Sequence, residues 1–409
     1  MKFLHLSDLH FGKLLGALSL SESGDQAFLV EQLLALADRE KPDAVVIAGD
    51  VYDRGVPAKE AVTLLDSLLT GLVRDRRLPT LVIAGNHDGG ERLNFTSDIL
   101  ADSRLFISGT VSRELSRFTL DCEEGPVTFW LLPYLFPAAV REALGRTPEE
   151  IPDCDAAARE LLAAQNIDFS QRNVLISHQY VTPVGGELQR GESETAVGGI
   201  GAVDPSVFAG FDYVALGHIH CCQSIDGSRI LYSGTPMCYH FSEVGQTKGA
   251  LMVTLGEKGS EPEVEHVDIP VQHPLRAVTG RFSEVLAAEQ AVERRGEYLC
   301  VTLTDDQPVF DADARLRAFF AERGSRMLDF QLRPEHSRGT PTGPAGNVRG
   351  RSVSELFSDF FKARNDRIMD DKEEELMDIL IAAVSDRGDV SDGELVATIV
   401  DEALKQEEA

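Results

Sequence analysis

The sequence predicts an α/β protein built on a largely parallel sheet, and three observations carry that prediction. Short apolar runs, Phe3-Leu4-His5-Leu6, Ala44-Val45-Val46-Ile47-Ala48 and Thr80-Leu81-Val82-Ile83-Ala84, read as buried strands. Helical stretches alternate with them over residues 1 to about 110, which implies parallel pairing through right-handed crossovers. Each run also ends in a polar turn bearing residues that bind metals: Ser7-Asp8-Leu9-His10, Gly49-Asp50-Val51-Tyr52-Asp53-Arg54 and Gly85-Asn86-His87-Asp88. In an open α/β sheet that edge is where ligands bind, so three loops point to one site.

Composition bounds the rest. The 409 residues suffice for two or three domains, and a hydrophobic content of 43% supports real cores. No apolar run approaches the ~18 residues of a membrane span. Nor does the N-terminus show the basic and apolar regions of a secretory signal, so a cytoplasmic location is expected. The net charge of −28 argues against a broad basic surface gripping nucleic acid. It does not exclude a nuclease, because divalent ions bring their own positive charge. The six cysteines form no CxxC pair and read as reduced thiols. Cys221 and Cys222 follow a His-x-His but fit small buried residues better than ligands.

The helix after the first strand covers 26–37, with Ser23 or Asp25 to cap it. Pro42 precedes the second strand, and Pro57 opens a helix over 58–73. Near residue 111 the pattern changes to a hairpin, 118–120 with 127–132, in which Trp130 suits the core better than a substrate platform. Helical stretches near 137–145 and 155–165 lead to a fourth strand ending at Ser177-His178. The Gly- and Glu-rich loop 183–203 is either functional or a mobile surface loop. A fifth strand, Phe211 onward, ends in Gly217-His218-Ile219-His220, and strands at 230–236 and 249–255 close the domain.

A smaller α/β unit begins near Pro274, with strands at 275–282, 298–304 and 327–332 and helices at 284–294 and 311–322. Residues 336–350 read as a flexible linker. The tail is helical, with apolar stripes at Leu356, Phe357, Phe360 and Phe361, at Leu376, Met377, Ile379, Leu380 and Ala383, and at Val396, Ile399, Val400 and Leu404. A hairpin packed on its own protein and a partner-docking tail both fit, and the linker favours docking. The expected division is 1–270, a large α/β domain; 271–335, a small one; 336–350, the linker; and 351–409, the tail.

Asp8, His10, Asp50, Asn86, His178, His218 and His220 all follow or end an apolar strand. Imidazole, carboxylate and amide donors suit borderline to hard divalent ions such as Mn²⁺, Fe²⁺ or Zn²⁺. Seven ligands exceed the needs of one ion, whereas two ions sharing a carboxylate fit the count and serve phosphoester hydrolysis. His5 lies within its strand as a core histidine. His240, His266, His273 and His336 fit no ligand position.

The blocks Asp8-x-His10, Gly49-Asp50-x-x-Asp53, Gly85-Asn86-His87-Asp88, His178 and Gly217-His218-x-His220 resemble the calcineurin-like metallophosphoesterase superfamily. The opening Met1-Lys2-Phe3-Leu4-His5-Leu6-Ser7-Asp8-Leu9-His10-Phe11-Gly12 is similar to the SbcD branch of the Mre11 nucleases. So are Ser177-His178-Gln179-Tyr180-Val181 and Tyr232-Ser233-Gly234-Thr235-Pro236. The resemblance implies a calcineurin-like sandwich with a small capping domain and a helical tail. It implies one ion at Asp8, His10, Asp50 and His220 and another at Asp50, Asn86, His178 and His218, Mn²⁺ first and Mg²⁺ second. It implies His87 as a catalytic residue, oriented by Asp53, with Asp88 as a turn residue or hydrogen-bonded to a ligating histidine. It further implies 3′→5′ exonuclease and endonuclease action on double-stranded DNA ends and hairpins in repair and recombination. A homodimer, a nucleoid-associated location and an SbcC/Rad50-type ATPase on the tail follow from the same resemblance. A phosphoprotein or small-nucleotide phosphoesterase on the same scaffold is the alternative. The block from Gly49 to Gly55 also resembles one found in protein phosphatases, where Arg54 touches phosphate; a surface or ion-paired Arg54 fits equally.

Overall fold

The computed structural model of the chain describes residues 1–122, 124–183, 188–189, 201–290 and 296–334, with short stretches between 354 and 377. Most of the loop 183–203, all of the linker 336–350 and most of the tail's stripe residues lie outside those residues.

The first strand, β1 (Lys2–Leu6), leads through α1 (Asp25–Glu40) to β2 (Ala44–Ala48), and α2 (Lys59–Leu69) leads to β3 (Thr80–Ile83) and β4 (Leu105–Ser108). The antiparallel pair β5 (Ser116–Leu120) and β6 (Val127–Leu132) follows, as the hairpin pattern predicts. Two helices, α3 (Pro137–Leu144) and α4 (Cys154–Ala163), precede β7 (Arg172–His178) and β8 (Tyr213–Gly217). Strands β9 (Gln223–Asp226), β10 (Ile230–Tyr232), β11 (Gly249–Thr254) and β12 (Glu263–Asp268) complete the set.

These strands form two six-stranded sheets, ordered β12-β11-β1-β2-β3-β4 and β9-β10-β8-β7-β6-β5. β1 to β4 are mutually parallel, as are β6, β7, β8 and β10. The inner faces meet in an apolar layer that includes Phe3, Val46, Leu81, Phe129, Val174 and Tyr213. Phe3 stands edge-on to Phe129 and Tyr213, with ring centroids 5.5 and 5.6 Å apart. One outer face is covered by α1 and α2, the other by α4. Trp130 lies in the second of these cores and donates its Nε1–H to Asn173 Oδ1 at 2.9 Å.

Two details differ from the sequence expectation. The N-cap of α1 is Gly24, at φ 91°, with no side-chain cap bond. Neither Ser23 nor Asp25 caps the helix, because the Asp25 carboxylate, which Ser23 Oγ bonds, is turned to distant partners. The helix after Pro57 runs on past α2 as a π-helical turn, Thr70–Asp75.

The C-terminal unit is β13 (Leu275–Gly280), α5 (Phe282–Gln290), β14 (Tyr298–Leu303), α6 (Ala312–Ala321) and β15 (Arg326–Leu332). Its three strands are parallel in that order, with a core of its own that includes Leu299, Val301, Leu316 and Phe320. Among the described residues, no helix is long and apolar enough to cross a membrane.

Candidate metal centre

Apolar strands end where their backbone turns polar, and here five strand ends converge. Asp8 and His10 follow β1, Asp50 follows β2, Asn86 follows β3, His178 ends β7, and His218 and His220 follow β8. Backbone bonds tie the first two loops together: Asp8 N–H donates to Gly49 O at 3.0 Å and His10 N–H to Asp50 O at 2.9 Å. The loops are tightly wound. Asp8, His10, Asp50 and His218 have φ of 53°, 42°, 47° and 106°, conformations that cost on the order of 1–3 kcal/mol each and cluster at functional sites. Glycine is required beside them. A Cβ on Gly85 would collide with the Asp50 carboxylate, and one on Gly49, at φ 88°, with the His178 ring.

Donor atoms of Asp8, His10 and His220 lie within 4.8 Å of one another, as do those of Asp8, Asp50 and His178. Asp50 Oδ2 is 3.3 Å from His178 Nε2 and 3.8 Å from His10 Nε2, so its carboxylate faces both groups. Asn86 Oδ1 lies 2.9 Å from His218 Nδ1, and the His218 N–H donates to the Asp8 carboxylate. All seven expected ligands therefore come together.

The tautomers follow from the outer partners. His178 Nδ1 must donate to the Ala48 carbonyl, 2.7 Å away, and His220 Nδ1 to Glu243, 2.8 Å away. Their Nε2 atoms then point inward. His178 Nε2 is buried without a hydrogen bond, and His10 Nε2 and His220 Nε2 face each other at 3.2 Å. Buried imidazole nitrogens crowded on one another and on carboxylates are the arrangement a divalent cation satisfies, so the donor set fits the metals.

The protonation pattern expresses the same crowding. Burial would raise the Asp50 carboxyl, but His178, with His87 and His10, holds it well below its ordinary value. Burial opposes charge on His178 too, yet Asp50 and Asp8 push it up to about 9. Burial and then the charge of His178 drive His218 down to about 3.

His87 stands beside this group, its ring edge-on to His10 at 5.0 Å. Its N–H donates to Asp50 Oδ1 at 2.8 Å. Its Nδ1 lies 3.1 Å from the main-chain carbonyl of Asp53. The expected pairing is thus made by the Asp53 backbone: its carboxylate is held by Lys13 Nζ at 2.7 Å and lies 3.6 Å from His10 Nδ1. Of the two roles expected for Asp88, the described bonds show the turn role and no bond to a ligating histidine. Its carboxylate accepts the N–H groups of Val51, Tyr52 and Gly85 and so clamps the second and third loops together. Burial and then Asp50 push it up to about 6. Arg54 is exposed, 3.9 Å from Asp53, and neither Cys221 nor Cys222 joins a metal-capable group among the described residues.

The chemistry of supporting residues is absent from the sequence reading. Glu243, held down to about 2 by His220 and Lys248 against the opposing effect of burial, orients His220. Tyr239 stands over His10 at 5.6 Å, and Tyr134 and Tyr180 wall His218 at 6.1 and 6.2 Å. Tyr180 lies in the Ser177–Val181 block, but Glu243, Tyr239 and Tyr134 belong to no spaced motif, and Glu243 sits in a short turn.

The calcineurin-like phosphoesterase family model matches residues 1–222. The model of the type 5 capsule protein repressor C-terminal domain, SbcD_C, matches residues 271–365. Solved structures are similar at low identity. One from Thermus thermophilus is 11% identical, covers 65% of this chain and 98% of that one, and has a TM-score of 0.37. The GAP50 anchor of the inner membrane complex of Plasmodium is 11% identical over 66% of this chain and 89% of its own, with a TM-score of 0.38. A dimetal phosphatase from Danio rerio is 15% identical, covers 65% and 98%, and has a TM-score of 0.36. A phosphoesterase domain followed by an SbcD-type C-terminal domain agrees with the branch that the motifs resemble. With more than half its length matched, and a divalent-metal donor set at its strand ends, the chain belongs to the calcineurin-like phosphoesterase family of metal-dependent phosphoester hydrolases.

Proposed function

We propose that this chain is the nuclease subunit of an SbcCD-type complex, hydrolysing phosphodiesters of double-stranded DNA at ends and hairpins. The observation that carries the reading is a carboxylate, Asp50, placed between two groups of inward-facing donors. Asp8, His10, Asp50 and His220 hold one ion; Asp50, Asn86, His178 and His218 hold the other. Two Mn²⁺ ions, when bound, supply Lewis acidity to the phosphoryl oxygens and the attacking water.

The chain's own chemistry is centred on His87. The carbonyl of Asp53 can only accept, so His87 Nδ1 carries a proton and Nε2 is left for the substrate. As an imidazolium His87 stabilises charge on the phosphate and protonates the leaving 3′ oxygen. Asp53 is its positioning residue, and Lys13 holds the Asp53 side chain.

The match at 271–365 supports DNA as the substrate and an SbcC/Rad50-type ATPase as the partner. The proposed domains are 1–270 for hydrolysis, 271–335 for capping and DNA contact, 336–350 as linker and 351–409 for partner docking. A net charge of −28 fits a subunit whose partner supplies much of the DNA grip. A homodimer is proposed on the resemblance to the SbcD branch.

The deciding experiment is a Mn²⁺-dependent assay on blunt and hairpin duplex DNA, with and without the candidate ATPase. Degradation of linear duplex is expected. Turnover of phosphopeptides or free nucleotides with DNA left intact overturns the nuclease reading.

A further inference from the structure

His10 and His220, which share one cluster, are each held from behind by a residue whose chain neighbours reach the C-terminal unit. Gln26, fully buried, donates its Nε2–H to the His10 carbonyl at 2.7 Å and accepts the Gly12 N–H at 2.9 Å. It thereby fixes the loop that carries His10. The residue before it, Asp25, is buried as well, and its carboxylate accepts from Tyr298 Oη at 2.9 Å and His273 Nδ1 at 2.8 Å. Tyr298 opens β14 and His273 precedes β13, and their rings stack at 4.7 Å. Asp25 and Gln26 are consecutive in the first turn of α1, so the helix start cannot follow the C-terminal unit without moving the His10 loop.

A second route reaches His220. Glu243 Oε1 accepts from its Nδ1, while Glu243 Oε2 binds Tyr239 N–H at 3.0 Å and Lys248 at 2.8 Å. Lys248 also donates to the His220 carbonyl at 2.8 Å. Glu243 ends the turn Phe241–Glu243, which lies against β13. Phe241 joins Leu275, Leu328 and Tyr298 in one apolar cluster. The other side of the centre lacks such ties among the described bonds. His178 rests on Ala48, and His218 on Asn86, all in the two large sheets and their loops.

We propose that Asp25, Gln26 and Glu243 are positioning residues that couple the placement of the C-terminal unit to one ion, the one held by Asp8, His10 and His220 together with the shared Asp50. The inference rests on the two-ion reading above. A shift of the C-terminal unit, such as substrate or partner would impose, then changes the geometry of that ion and leaves the Asn86–His178–His218 side in place. The warrant is the pair of hydrogen-bonded paths, since a ligand histidine's outer partner sets its orientation and metal affinity. Coupling of this kind is reciprocal, so the ion also stabilises the position of the unit.

The test uses the full chain, titrated with Mn²⁺ and followed by the electron paramagnetic resonance of the free ion. Wild type takes up two ions. Tyr298→Phe, His273→Ala and their combination, all in the C-terminal unit, weaken one ion by about tenfold and leave the other unchanged. In an Asn86→Ala background the shift persists; in a His10→Ala background it disappears. Two ions of unaltered affinity in the combined variant overturn the coupling, and so does an equal weakening of both. Fewer than two ions on wild type strikes the two-ion reading itself. Tyr298→Phe removes a single hydroxyl, so its result stands even where the combined variant fails to fold.

Discussion

Asp50 is the residue that faces both halves of the candidate metal centre. Its carboxylate faces His10 on one side and His178 on the other and accepts the His87 N–H besides. Asp50→Ala should therefore abolish uptake of both Mn²⁺ ions, read by the same titration; retention of either at native affinity rules out the shared-carboxylate role. His87 has the opposite expectation. His87→Ala should keep both ions and lose turnover on DNA by about 10²–10⁴-fold, the usual range for a missing general acid. Loss of both ions would make it a ligand instead. His5 adds a stability prediction. Its Nε2 bonds Leu216 O at 3.2 Å and its Nδ1 bonds Tyr213 Oη at 3.0 Å, and burial lowers its pKa to about 3, with the Leu216 bond opposing. In the unfolded chain the imidazole titrates near its ordinary value of about 6.5. Below that pH the unfolded chain takes up a proton the fold refuses, so stability falls as pH drops toward 3, by at most about 1.4 kcal/mol per pH unit. Urea unfolding between pH 7 and 4 should show a shallower pH dependence for His5→Gln than for wild type. Identical slopes would remove His5 from the acid lability.

At the scale of the element, β1 shows how few residues do several jobs. Phe3 fills the layer between the sheets, Leu4 and Leu6 pack under the helices, and His5 bonds across to the second sheet. The strand then hands the chain to Asp8 and His10. Phe3→Ala should cost about 3–5 kcal/mol, the range for truncating a buried aromatic. A loss under ~1 kcal/mol in denaturant titration would mean the inter-sheet layer refills. Strands were legible in the sequence because an unbroken apolar run and the polar turn ending it are both local signals. Every expected ligand position came from those turns or from a strand's last residue. Capping of α1 was not legible. Ser23 and Asp25 are the right residue types for an N-cap, but the Asp25 carboxylate is taken by Tyr298, 273 positions away. The same limit applies to Asp53. Its side chain suits an acid–imidazole pair, yet Lys13 occupies it and the backbone carbonyl meets His87 instead.

For the whole molecule, two stacked sheets bring their strand ends to one edge, and a three-stranded unit is fastened against the start of α1 and the turn at Phe241–Glu243. The proposed division puts hydrolysis in the two sheets and partner docking in the tail. Removing residues after 350 should abolish binding of the candidate ATPase while leaving two-ion uptake intact, measured by co-sedimentation and by the metal titration. Partner binding that survives the truncation would place the docking surface elsewhere. By itself the sequence determined the strand ends, the ligand types on them and the family they resemble, because each is written within a dozen neighbouring residues. Only the tertiary structure decided that His10 faces His220 across 210 positions, that Glu243 stands behind His220, and that the C-terminal unit reaches the His10 loop through Asp25 and Gln26. Those pairings depend on how the sheets stack and where the loops between them cross, and no local periodicity encodes either.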